Sequence, residues 1–123
     1  FAFTKREFFE VADGEKEPQY VPNDAGEVNL EHILPQSPST DWSLDPDILR
    51  ANYRRLGNLV LLQATPNSSI GNESYEKKKP VLAPSAFSLT KMAAQYSKWG
   101  PDEINDRQLS LAKLAVQTWP LRP

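Results

Sequence analysis

Val28-Asn29-Leu30-Glu31-His32-Ile33-Leu34-Pro35-Gln36 sets Val28, Leu30 and His32 on one side and Asn29, Glu31 and Ile33 on the other before it meets a proline. Alternation with period two is the pattern of a strand, and proline, with no backbone N–H to give to a ladder, closes one. The stretch therefore predicts a short strand ending near His32. A second apolar run, Asn58 to Gln63, lies between Gly57 and Thr65-Pro66 and predicts a short buried strand. Between the two, residues 37–47 are rich in serine and proline and read as an excursion; residues 48–56 follow, with Ile48, Leu49, Tyr53 and Leu56 at helical spacing.

Working outward, Asn67 and Asn72 are both suited to start a helix that runs into Tyr75 and Lys77-Lys78-Lys79. One kinked helix and two short ones both satisfy that pattern. Residues 88–99 and 101–119 each predict a helix. In the second, Pro101 suits the first helical position, Asp102 and Glu103 suit its positive end, and Ile104, Leu111, Leu114 and Ala115 form the apolar stripe. At the other end of the chain, residues 1–11 suit a short helix or the end of an upstream one, and residues 12–27, polar with two prolines and two glycines, a loop or linker.

A length of 123 residues predicts one domain with a modest core. No apolar run approaches the roughly 18 residues of a membrane span, and the charged first ten residues do not suit a secretion signal, so a soluble, cytoplasmic protein without a membrane partner is expected. The first residue is phenylalanine rather than methionine, as expected of a piece of a longer protein with an upstream domain. With no cysteine, a disulfide and a cysteine-built zinc site are both excluded. Oxygen ligands and one histidine favour Mg²⁺ or a similar hard ion.

A formal charge of −2 argues against a protein that coats nucleic acid by net charge alone. The distribution is uneven. Residues 1–27 carry three Lys/Arg against seven Asp/Glu, residues 28–80 six against six, and residues 81–123 five against three. In the middle segment the basic clusters Arg54-Arg55 and Lys77-Lys78-Lys79 leave local phosphate contacts open, beside the simpler role of solvated faces. The aromatic residues Trp42, Tyr53, Tyr75, Trp99 and Trp119 are better suited to packing than to base stacking.

Hydrolysing a phosphodiester needs a base to prepare water, positive charge on the phosphate and stabilisation of the departing oxygen. His32, the single histidine, is the side chain suited to take a proton near neutral pH. Its neighbour Glu31 offers a carboxylate, and Asn67, at an expected helix start, an amide oxygen near backbone N–H groups that would face a phosphate.

Glu31-His32-Ile33-Leu34-Pro35-Gln36 resembles the first half of the motif of HNH, or His-Me finger, nucleases. Leu56-Gly57-Asn58-Leu59-Val60-Leu61-Leu62 is similar to the second strand of that motif, with Asn58 as its middle asparagine, and Asn67 stands where the last metal ligand begins the helix. The branch that it resembles is that of the modification-dependent restriction proteins of the GmrSD and SspE kind, on Asn67, Asn72, Tyr75 and Lys78, then Trp99, Ile104, Arg107 and Trp119-Pro120. The resemblance spans about residues 29–120 and implies an α+β fold. Its centre would be a ββα-metal core, a two-stranded ribbon with a helix over about residues 29–80, surrounded by additional helices that include a tail at 87–120. Residues 1–28 lie outside the resemblance and are expected to be an N-terminal helical extension or linker.

By the same resemblance, His32 would be the general base and Asn58 its catalytic companion, fastening the loop and orienting the imidazole. Glu31, directly or through water, and Asn67 would hold Mg²⁺ or Mn²⁺. Asn72 and Lys78 would contact substrate phosphate. Structural zinc is not expected, and the flanking helices would do the bracing that cysteine-bound zinc provides in some HNH domains. The implied activity is metal-dependent DNA endonuclease, a nicking or restriction effector in bacterial antiviral defence, acting with an upstream domain that senses nucleotide or DNA modification. The alternative is a catalytically silent DNA-binding or protein-interaction module of a larger defence protein.

Overall fold

The computed structural model describes residues 28–63, 70–85 and 87–118. Among these the protein is α+β: a two-stranded antiparallel ribbon, four α-helices and one 3₁₀ turn. Strand β1 is Val28–His32 and strand β2 is Leu59–Gln63. They pair with Leu30 opposite Leu61, Glu31 opposite Val60 and His32 opposite Leu59. Residues opposite each other share a face and successive residues alternate, so Glu31 lies on the face of Val60 and Leu62, and His32 on the face of Leu30 and Leu59. Val60 and Leu62 are buried and Leu30 is exposed. The Glu31 face is therefore the core side of the ribbon.

Helix α1, Pro46–Asn52, starts two residues before the expected span, with Pro46, read as part of the excursion, in its first turn; the Asp45 carboxylate accepts from the Asp47 N–H at 2.8 Å. It ends sooner than the apolar spacing predicts. Ile48 and Leu56, two of the residues at helical spacing, are both exposed, and the helix buries the polar Asn52. The chain then tightens into the 3₁₀ turn Leu56–Asn58, so Asn58 stands just before β2 rather than within it.

Helix α2, Tyr75–Leu82, starts at neither asparagine: Ser74 is its cap, accepting from the Lys77 N–H. The turn before it contains Gly71, whose φ of +41° suits a residue without Cβ. The helix expected over residues 88–99 is reduced to α3, Ser88–Ala93. Beyond it the chain turns and brings the Trp99 ring onto Tyr75, with centroids 5.5 Å apart, and edge-on to Tyr96 at 5.3 Å. The Tyr75 hydroxyl donates toward the carbonyl oxygens of Ala93 and Tyr96, at 2.7 and 2.8 Å. Burial pushes its pKa up to about 12, so it stays a donor throughout the physiological range.

Helix α4, Pro101–Thr118, matches the expected span and buries Ile104 and Leu111 as expected. Leu114 and Ala115 are half-buried, and the third buried position is Arg107. Its guanidinium lies under the 3₁₀ turn and donates to the carbonyls of Gly57 (2.9 Å) and Leu59 (2.8 Å). The turn and helix are so close that a Cβ on Gly57 would stand 2.2 Å from the Ile104 carbonyl oxygen and 2.9 Å from the Gln108 nitrogen. The core joins Ile33, Leu34, Val60, Leu62, Ile70, Tyr75, Leu82 and Ile104 beneath the ribbon. The helical segment expected at residues 1–11, the linker at 12–27, Asn67 and Trp119 lie outside the described residues. Among the described residues no helix is long and apolar enough to cross a membrane.

Because both obstructing atoms at Gly57 belong to backbone, Gly57→Ala cannot be absorbed by a rotamer change. The substitution is expected to destabilise the fold by about 2 kcal/mol or more, read as a lower urea midpoint at unchanged slope.

Candidate active site

A strand carries its last residue loosely unless the chain beyond it is tied down. Past His32 the backbone leaves the ribbon, and two buried polar side chains secure it from different directions. The first is Asn58, which is fully buried. Its Oδ1 accepts from the Leu34 N–H at 2.8 Å and from Trp99 Nε1 at 2.9 Å. Its Nδ2 donates to the carbonyl of Leu34 at 2.8 Å and to that of Tyr53 at 2.9 Å. The Asn58 carbonyl also accepts from the Ile33 N–H at 3.0 Å. Two donors and two acceptor positions are what a primary amide has, and all are engaged within the protein. Asn58 therefore presents nothing to a substrate, and any influence it has on chemistry is through position.

The second is Lys78, on helix α2. The residue expected to face phosphate is fully buried, and its ammonium donates to the carbonyls of His32 (3.0 Å), Ile33 (2.8 Å) and Gly71 (3.0 Å). Three N–H bonds meet three carbonyls, which leaves none for a phosphate oxygen. Burial lowers the Lys78 pKa to about 8, against a raising influence from Glu31 and Glu73. Lysine is usually a surface residue, and a sequence run of three lysines gives no sign that the middle one turns inward. Neighbouring Lys77 has the solvated role, paired with Glu73 at 3.2 Å.

Between these ties the His32 ring is half-buried, with its centroid 5.8 Å from that of Tyr53. Glu31 is half-buried on the opposite, core-side face, where its charge reaches Lys78. Asn72 has an exposed side chain and works through its backbone, its carbonyl accepting from the Ser39 N–H (3.4 Å) and from Trp42 Nε1 (3.3 Å). Trp42 also donates to the Glu73 carbonyl at 3.0 Å, which holds the serine- and proline-rich excursion against the start of α2.

The structure thus brings Glu31, His32, Asn58 and Lys78 to one end of the ribbon and sets Asn72 in the neighbouring turn. Among the described residues no three His, Cys, Asp or Glu side chains cluster as a metal cage would. The donor set is one half-exposed carboxylate beside a buried ammonium, with Asn67 expected in the connection from β2 to α2. That set fits a hard divalent ion that retains most of its water and is completed by substrate oxygens. The groove of about 420 Å³ between α3 and α4, lined by Leu89, Met92, Tyr96, Arg107 and Leu111 among others, contains none of these residues.

Two site residues escaped sequence reasoning in their actual roles. Trp99 and Tyr53 are both assigned to packing by their type, yet the Trp99 indole N–H is a partner of Asn58, and the Tyr53 ring is the neighbour of His32. Their spacing from His32 and Asn58 carries no local signal.

A small α+β domain whose ribbon ends in a secured Glu-His pair is the class that the fold and site define. The chain belongs to the family of GmrSD restriction endonucleases, C-terminal domain, whose family model matches residues 4–114. No curated protein matches it.

Two outcomes follow for the ties. Asn58→Ala removes four side-chain hydrogen bonds at a site closed to water and is expected to cost about 3 kcal/mol or more, measured by urea unfolding. Lys78→Met keeps the bulk but leaves three carbonyls unpaired, and should cost about 2 kcal/mol or more. It should also change the pH profile. The folded pKa of about 8 lies below the ordinary 10.5, so between those values the unfolded chain holds a proton that the fold releases. Stability due to this group therefore rises with pH across that window. In EDTA, the wild-type advantage over Lys78→Met should widen from pH 8 to 10.5.

Proposed function

We propose that this chain is a metal-dependent DNA endonuclease domain of the HNH type, in which β1, β2 and α2 form the ββα-metal core. The observation that carries the reading is the securing of the chain beyond His32 by Asn58 and Lys78 while the imidazole itself stays partly open beside Tyr53. A general base needs a fixed direction and a nitrogen open to water, and a tied backbone with a half-buried ring beside Tyr53 supports that role for His32. Membership in a family of restriction-endonuclease domains supports the same reaction class.

On this reading His32 takes the proton from a water that attacks the phosphorus of a DNA phosphodiester. The bond from phosphorus to the 3′ oxygen breaks, giving a 3′-hydroxyl and a 5′-phosphate. Glu31 and Asn67 would hold Mg²⁺ or Mn²⁺. When bound, such an ion supplies positive charge at the phosphate and at the departing oxygen. Asn58 is a positioning residue, fixing Leu34 and Tyr53 and so the frame around the imidazole. Lys78 belongs to that frame and not to the phosphate-binding surface. Asn72, with its exposed side chain, remains available to a phosphate oxygen. The domain would nick or restrict DNA in the cytoplasm as the effector of a bacterial antiviral system, directed by an upstream domain that senses nucleotide or DNA modification.

Supercoiled plasmid incubated with the chain and Mg²⁺ or Mn²⁺ is expected to be nicked, with activity lost in EDTA. His32→Ala should lower the rate by about 100-fold or more. Equal cutting by wild type and variant, or none by wild type with either ion, would sink the reading.

A further inference from the structure

We propose that Arg54, held in place by Tyr53, is a phosphate-binding residue that receives the DNA backbone phosphate next to the one presented to His32; this rests on the nuclease reading above. Tyr53 caps the end of helix α1, and its carbonyl is fixed by Asn58 Nδ2, the same buried amide that secures Leu34 beyond His32. One side chain thus sets the position of the base-bearing strand and of the tyrosine together. The Tyr53 ring is the meeting point. The His32 ring lies at 5.8 Å from it, and the Arg54 guanidinium carbon at 5.3 Å from its centroid. Arg54 Nε also donates to the Tyr53 hydroxyl at 2.7 Å. An exposed arginine, ordinarily free to sample many rotamers, is in this way given a direction by one hydrogen bond and one ring contact.

Arg54 differs from its neighbours in being exposed, directed beside His32 and without a carboxylate partner; Lys79, also without one, is half-buried over the Tyr75 ring at 5.5 Å. Arg50 is paired with Asp47, and Lys77 with Glu73. Arg55 donates to the side chains of Asn52 and Asn105, while Lys78 and Arg107 are buried on carbonyls. The partners that Arg54 shows are the neutral hydroxyl and ring of Tyr53, so its positive charge is not balanced by a carboxylate in these contacts. With Nε engaged by Tyr53, the two terminal nitrogens remain to form the bidentate fork that guanidinium makes with phosphate oxygens. An exposed cation directed beside the base lets a mildly acidic domain register a DNA strand without binding it broadly.

The test is binding of a fluorescent DNA duplex to the whole chain in EDTA, where metal-dependent cleavage is silent, over a series of salt concentrations. Arg54→Ala is expected to weaken binding about tenfold at about 0.1 M salt and to reduce the slope of log affinity against log salt by about one. Arg54→Lys should restore the slope, since charge is kept, and recover only part of the affinity, since the fork is lost. Tyr53→Phe, which keeps the ring and removes the hydroxyl, should keep the slope and lose part of the affinity. Because Arg54 is exposed, thermal melting should be unchanged in Arg54→Ala. An unaltered slope and affinity in Arg54→Ala, or a wild-type chain without salt-dependent binding, overturns the proposal. Plasmid nicking that vanishes in His32→Ala but is untouched in Arg54→Ala would leave the nuclease reading standing and remove this inference alone.

Discussion

The four hydrogen bonds of the Asn58 side chain are the constraint on which the rest of the molecule depends. Through them one amide joins the backbone beyond β1, the end of α1 and the indole of Trp99. Two of these contacts are far apart in sequence, Leu34 lying 24 positions from Asn58 and Trp99 lying 41 positions from it. Aspartate would place a carboxylate oxygen against two carbonyls, and leucine would leave the Leu34 N–H and carbonyl unpaired in a site closed to water. Glutamine would carry the amide one methylene too far. Asparagine has both the donor and acceptor count and the reach.

A second pattern runs beside it. Irregular backbone at the end of a strand or in a 3₁₀ turn leaves carbonyl oxygens without N–H partners, and buried carbonyls need them. Lys78 and Arg107 meet this need in the same way, each directing several N–H groups of one side chain at several carbonyls. The cost is desolvation of a charge, visible in the lowered pKa of Lys78. A two-stranded ribbon is marginal by itself, and this one, in a chain with no cysteine, is held by an amide and two buried cations.

How much of this could be read from the sequence follows from the range of each interaction. The strand ending at His32 and the helix at 101–118 were legible because apolar periodicity and proline placement act over a few residues. The start of α2 was not, since Asn67, Asn72 and Ser74 are all competent caps and only packing chooses Ser74. The apolar spacing through Leu56 overran α1, which stops at Asn52 and turns that polar residue inward. Among the candidate site residues, the pairing of Glu31 with His32 and the importance of Asn58 were carried by a motif. The inward turn of Lys78 depends on carbonyls 45 and 46 residues away and on a turn at Gly71, and no local pattern encodes that. A lysine in a basic run reads as a surface charge until its partners are seen.

The division between inward and outward cations bears on how such a domain would meet DNA. Residues 28–80 contain six basic side chains, enough in principle for a phosphate-binding face. One is buried on carbonyls, two are paired with carboxylates and one is tied to two asparagines. Affinity from counterion release scales with the number of phosphates neutralised, so little electrostatic attraction remains in this region of a chain of net charge −2. On the nuclease reading, weak intrinsic attraction is consistent with a secured site. A domain that binds DNA poorly but orients its base well would cut where another module delivers it, and would spare DNA that it meets by chance. Its rigidity would then serve the chemical step, and the choice of target would rest with whatever brings the substrate.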